Sequence, residues 1–153
     1  NSAYEGMGST ATVLHIDEDA QTACYAHVGD SRLYLLRGGE LRRISRDHSY
    51  VEELVARGEL SEAEAQHHPR KNYLLRAVGV EERLHVDGDT LPVMAGDRFL
   101  LATDGLTNMV EDTDLCALLG GNPDDAARQM VERALDAGGT DNVTAIVIAC
   151  DPS

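Results

Sequence analysis

The chain has 153 residues, 42% of them hydrophobic, which suffices for one buried core and leaves little for a second domain. Its 27 acidic against 13 basic residues give a formal net charge of -14. That excess argues against nucleic acid or an anionic membrane as partner, because such binding needs clusters of Lys and Arg. Solubility and a divalent-cation site both account for the acidity, and composition leaves the two open. Cys24, Cys116 and Cys150 are odd in number and lack C-x-x-C spacing, which argues against a disulfide frame and a structural zinc. Set among apolar neighbours, they read as reduced core residues of a cytoplasmic protein. No apolar run has membrane-spanning length, and no signal peptide is recognised. The chain starts at Asn1 rather than Met and is read as a segment of something longer.

In chain order, Gly6-Met7-Gly8-Ser9-Thr10-Ala11 resembles a dinucleotide loop in composition only, since it precedes a strand instead of following one. Thr12–Ile16 is β-branched and apolar, and Asp17-Glu18-Asp19 ends it as a turn without the glycine and closing Glu of a calcium loop. Thr22–Val28 reads as the next strand. Arg32–Arg37 and Glu40–Ile44, joined by Gly38-Gly39, read as a hairpin, so the first third is expected to be an antiparallel meander.

From Asp47 to about Val78 the chain turns polar, and two short helices are expected at Tyr50–Arg57 and Ser61–His67. Ser61 and Glu64 make a capping box. This insert reads as a surface subdomain. His67 and His68 are neighbours at a helix end and point apart, which disfavours a shared metal. Strands are expected again at Arg83–Thr90 and Arg98–Leu101. Helices follow from Asp112 to Leu119 and from Pro123 to Ala137. The second has Ala126, Ala127, Met130, Val131, Ala134 and Leu135 on one face, Asn122 as its cap and Pro123 at its first position. The last strand, Val143–Ala149, is apolar at nearly every position and is expected at the centre of its sheet.

Three glycine-associated turns each carry an Asp beside a strand. They are Val28-Gly29-Asp30-Ser31-Arg32, Ala102-Thr103-Asp104-Gly105-Leu106 and Gly138-Gly139-Thr140-Asp141-Asn142-Val143-Thr144. Asp104 alone also reads as a turn or helix cap, but a carboxylate at the tip of a buried strand is how hard cations are held. All three turns, in this order, resemble the metal-dependent protein phosphatases of the PP2C (PPM) family in their compact bacterial form. Gly6-Met7-Gly8-Ser9-Thr10, Arg46-Asp47-His48-Ser49, Glu52-Leu54-Gly58, His68-Pro69 and Leu74-Arg76-Ala77 fit the same pattern, from about Gly6 to Ala149.

The resemblance implies an α+β fold, an α-β-β-α sandwich of two antiparallel sheets flanked by helices, in a single domain over residues 1–153. It implies paired Mn2+ or Mg2+ ions, with room for a third, and hydrolysis of phosphoserine or phosphothreonine by a metal-bound water or hydroxide. Asp104 and Asp141 match the family's ligands for the second of the paired metals. Asp30 matches the acidic residue that, with Asp104, holds a third ion, and Asn142 matches a residue that orients metal-bound water. The insert at 47–78 matches the flap beside the site. Phosphoprotein substrates and Ser/Thr kinases are the implied partners.

One departure stands out. The family's first motifs, an Arg near an Asn-(Glu/Gln)-Asp triplet and an Asp-Gly-x-Gly-Gly loop, are absent from this sequence. The bridging Asp, the phosphate-holding Arg and a His general acid therefore have no counterpart here, and Glu5, Arg32 and His48 are not expected to replace them. The chain is accordingly read as the C-terminal portion of the domain, with a catalytically inactive binding or regulatory module as the alternative. An uncovered sheet edge would favour a dimer or a complementing fragment.

Overall fold

A computed structural model describes residues 6–151 of the chain. Glu5 lies outside the described residues. Seven strands and five helices follow in order: β1 (Ala11–Asp17), β2 (Thr22–Val28), β3 (Arg32–Arg37), β4 (Glu40–Arg43), α1 (Tyr50–Ala56), α2 (Glu62–His67), β5 (Asp87–Pro92), β6 (Arg98–Ala102), α3 (Asp104–Thr107), α4 (Asp112–Gly120), α5 (Pro123–Asp136) and β7 (Ala145–Ala149). The strands form two antiparallel sheets, one in the order β1-β2-β5 and one in the order β4-β3-β6-β7.

The apolar runs of β3 and β6 have a physical reason. Successive side chains of a strand alternate between faces, and here both faces of the four-stranded sheet are covered. Leu33, Leu35 and Phe99 pack toward the three-stranded sheet, against Ala23, Leu14, Ile16 and Leu91. Tyr34, Leu36, Leu100 and Ala102 pack the other way, onto Leu106, Leu115, Leu119, Met130 and Ala134 of the helices. α3, α4 and α5 thus cover one sheet, whereas the outward side of β2 carries exposed Cys24 and Ala26. Among the described residues, no helix is long and apolar enough to cross a membrane.

Several expectations are corrected. The first four strands are not one meander: β2 pairs with β1 and β5, and β3 with β4 and β6, so the chain changes sheets at the Gly29 turn. Gly29 has φ +108, and a Cβ there would run into the Thr10 side chain, which is how the crossing passes so close. The strand expected from Arg83 starts only at Asp87, residues 83–86 being exposed. β7 lies at an edge of its sheet, not its centre, and Ile146 is 53% exposed. Its apolar character comes from packing on α5 and on the core between the sheets, not from two strand neighbours. Leu135 of α5 is exposed, because only Ala126, Met130 and Ala134 of that face reach the sheet. Cys24 is exposed rather than buried, while Cys116 and Cys150 are half-buried. The insert is peripheral at α2, which has no buried residue, but its base and the start of α1 are not, since Asp47, His48, Ser49 and Val51 are all buried.

The helix signals otherwise hold locally. Ser61 accepts the Glu64 N–H while Glu64 accepts the Ser61 N–H, completing the box at α2. Asn122 accepts the Asp124 N–H with Pro123 at the start of α5. Because α2 has no buried residue of its own, Ser61→Ala is expected to cost the helix about 1 kcal/mol. The readout is faster amide exchange within Glu62–His67, and unchanged exchange would count against it.

Candidate functional site

The register of the four-stranded sheet brings the three Asp turns to one end. Arg32 lies opposite Ala102, and Ala102 opposite Ala145, so the segments just beyond these residues are lateral neighbours. Those segments carry Asp30, Asp104 and Asp141. The middle and last turns are then fastened together. Thr103 N–H donates to Thr144 O at 3.1 Å, and Thr144 N–H donates to Thr103 Oγ1 at 2.9 Å. With its hydroxyl so engaged, Thr103 occupies the cap position of α3 without a side-chain cap bond, and Asp104 is the first helical residue. Gly105 lies against the Asn142 carbonyl, where a Cβ would collide with it and touch the Asp141 side chain. Glycine is what permits this approach. Asp141 accepts the Asn142 N–H at 2.6 Å, and both residues are exposed.

The carboxylates sense one another. Burial, then Asp104 and Asp47, push the Asp30 carboxyl up to about 6. Burial and then Asp141 raise that of Asp104. Asp104 is therefore the centre of the group, coupled to Asp30 on one side and to Asp141 on the other. The donor set is all oxygen and anionic, which suits Mn2+ or Mg2+ and not a thiolate- or imidazole-preferring metal. Among the described residues, no three His, Cys, Asp or Glu side chains converge on one point. What links them is charge: Asp104 acts on the Asp30 carboxyl, and Asp141 on that of Asp104.

A groove of about 440 Å³ runs from Asp30 and Asp104 between the insert, at Glu62, Gln66 and Lys71, and the start of α4 at Glu111. Arg32 lines it but is already engaged. Its guanidinium grips Asp47 with Nε 3.0 Å from Oδ1 and Nη2 2.8 Å from Oδ2, while Nη1 donates to the Tyr34 hydroxyl at 3.2 Å. The sequence marks the turn that holds Arg32 and the passage that holds Asp47, yet nothing in either signals that they pair across 15 residues. The His68 Nδ1 accepts the Arg70 N–H at 3.0 Å and its ring tilts toward Tyr50.

A pH prediction follows from Asp30. Its folded carboxyl titrates near 6 against an ordinary 3.8, so between those values the folded chain binds more protons than the unfolded one. Metal-free stability should therefore fall as pH rises from about 4 to 6 and stay lowered above that. Allowing for solvent screening at this half-buried group, Asp30→Asn should stabilise the metal-free chain at pH 7 by about 1–2 kcal/mol. Urea unfolding in EDTA at pH 4 and pH 7 checks this, and a variant less stable than wild type at pH 7 would defeat it.

The chain matches the model of the family described as Protein phosphatase 2C over residues 1–54. It is 38% identical over 151 residues to the protein phosphatase PhpP of Streptococcus pneumoniae, an alignment that covers 97% of this chain and 61% of that protein. The solved structure of the serine/threonine phosphatase Stp1 from Staphylococcus aureus superposes with a TM-score of 0.93 at 34% identity, over 99% of this chain and 60% of that one. The catalytic domain of the serine/threonine protein phosphatase PstP, solved in complex with two manganese ions, superposes with a TM-score of 0.84 at 35% identity, over 94% and 59%. The chain thus spans about three fifths of the length of the curated relatives it matches.

Proposed function

From these matches we propose that the chain is part of a metal-dependent protein serine/threonine phosphatase of the protein phosphatase 2C family, acting on phosphoserine and phosphothreonine. The observation that carries the proposal is the gathering of the Asp30, Asp104 and Asp141 turns at one end of the four-stranded sheet, with Asp30 and Asp104 lining an open groove. Like charges held close together, as at Asp30 and Asp104, are costly without a cation to relieve them.

Asp104 and Asp141 would hold the second of the paired Mn2+ or Mg2+ ions, and Asp30 with Asp104 a third. When bound, such ions supply Lewis-acid neutralisation of the phosphoryl oxygens and lower the pKa of water. Asn142, exposed and fixed next to Asp141 by its backbone, would orient water by a hydrogen bond from its side chain. Arg32, held by Asp47, keeps a positive charge at the groove wall without a free fork for phosphate. The insert at 47–78 borders the groove and would shape access for a phosphoprotein segment. Ser/Thr kinases as partners, a cytoplasmic location, and a dimer or complementing fragment along the edge of β7 belong to the same reading.

Hydrolysis of p-nitrophenyl phosphate with Mn2+, and again with EDTA, tests the proposal. The full-length protein should turn over in Mn2+ alone, and Asp104→Asn should remove that turnover. Activity that persists in EDTA would overturn the metal assignment. A folded, Mn2+-binding protein without turnover would mean a catalytically inactive binding or regulatory module.

A further inference from the structure

His48 is 7% exposed and makes five polar contacts that converge on one small region, one of them the approach of Arg76 Nη1 to its Nε2 at 3.4 Å. Its backbone N–H donates to the Gly29 carbonyl at 2.7 Å, and its ring Nδ1 accepts the Gly29 N–H at 3.1 Å. A single residue therefore grips both peptide groups of the glycine that precedes Asp30. Because Nδ1 accepts, the proton of the neutral ring is on Nε2, which donates to Asp87 Oδ2 at 2.9 Å. Asp87 in turn is held by Arg76 Nη1 at 3.0 Å, and the His48 carbonyl accepts the Leu75 N–H at 2.8 Å. His27, fully buried, lies against the ring with centroids 4.9 Å apart, and its own Nε2 is 3.1 Å from the Arg46 carbonyl.

These contacts join four separate segments: the turn at 29–31, the base of the insert, the stretch at 74–76 and the start of β5. Gly29 has φ +108 and makes the crossing between the two sheets, so its peptide orientation decides where Asp30 points. We propose that His48 is a positioning residue for Asp30, with the ring accepting the Gly29 N–H to hold the turn in the conformation that faces Asp30 toward Asp104. The inference rests on the reading of Asp30 as a cation ligand given above.

Three substitutions separate the two sides of the ring. His48→Asn keeps an acceptor near the place of Nδ1 and loses the bond to Asp87. His48→Gln reaches toward Asp87 and loses the acceptor at Nδ1. His48→Ala loses both. Mn2+ binding by calorimetry should weaken about tenfold in His48→Ala and His48→Gln, the scale for groups that orient a ligand, and be restored in His48→Asn. If His48 acts through Asp30, the double variant with Asp30→Asn should bind Mn2+ no worse than Asp30→Asn alone. Additive losses, or rescue by Gln and not Asn, would overturn the proposal. If Asp30→Asn leaves Mn2+ binding unchanged, the ligand reading of Asp30 falls instead. The metal-free chain gives an independent reading of the clamp. Exchange of the Gly29 amide should stay slow in wild type and His48→Asn and speed up in His48→Gln, which also covers the case of an unfolded His48→Ala. Slow exchange in a folded His48→Gln would overturn the clamp itself.

Discussion

Asp104→Asn is expected to lower Mn2+ affinity on the order of 100-fold, at or beyond the upper end for residues that merely orient a ligand. The metal-free chain should become more stable at neutral pH in the same variant. The two effects have opposite signs and a common cause. Asp104 begins α3 at the point where two turns meet, and its carboxyl is raised by burial and by Asp141. Its folded pKa lies above the unfolded one, so the ionised group destabilises the fold through and above that window, and only a cation offsets this. Wild type should gain about 2.7 kcal/mol at a Mn2+ concentration 100 times the dissociation constant, and the variant almost nothing at that concentration. Asp30→Asn should lose less affinity, because in the proposed site Asp104 would serve two metal positions and Asp30 only one. Calorimetric titration of both variants decides it, and equal losses would defeat the assignment of Asp104 as the shared ligand.

Arg37→Ala is expected to cost about 3 kcal/mol of folding stability at pH 7, the lower end for breaking a buried pair from one side. Asp97 is 1% exposed and accepts from Arg37 Nε at 2.8 Å, Arg37 Nη2 at 2.6 Å and the Met94 N–H at 2.8 Å. Its backbone carbonyl also accepts the Cys150 N–H at 2.9 Å, so the same residue ties the entry of β6 to the end of β7. Burial pushes the Asp97 carboxyl up, but the Arg37 bonds and the Met94 N–H outweigh it and leave the group below its ordinary range. A depressed carboxyl stabilises above its unfolded pKa, near 3.8, and that stability is lost as pH falls through the folded value. Without Arg37 the sign reverses, since an unpaired buried carboxylate is relieved by protonation. The gap between wild type and Arg37→Ala should therefore shrink between pH 7 and pH 4. Arg37 is one-third exposed, so water reaching the vacated space is why the lower figure is chosen. Urea midpoints at the two pH values test this, and a gap that widens in acid would contradict it.

The amino-acid sequence by itself determined the elements whose signals are local. Thr22–Val28, Arg32–Arg37 and Arg98–Leu101 read as strands because alternation and apolar runs record which faces are buried. Gly38-Gly39 marked the hairpin, the Ser61 and Glu64 pair the start of α2, and Asn122-Pro123 the start of α5. The three Asp turns were legible for the same reason, each being a short glycine-associated signal. Tertiary structure alone decided what each element lies beside. Nothing local distinguishes β2 joined to β5 from β2 joined to β3, and Ala-Ile-Val-Ile-Ala reads the same at an edge as at a centre. Asp97, an ordinary turn residue by its neighbours, is buried because Arg37 reaches it from 60 positions away. Asp104 meets Asp141 because Gly105 lets two distant turns touch. Periodicity encodes how much of a side chain is covered, whereas sheet register and long-range pairs decide by what, and the candidate site depends on the second.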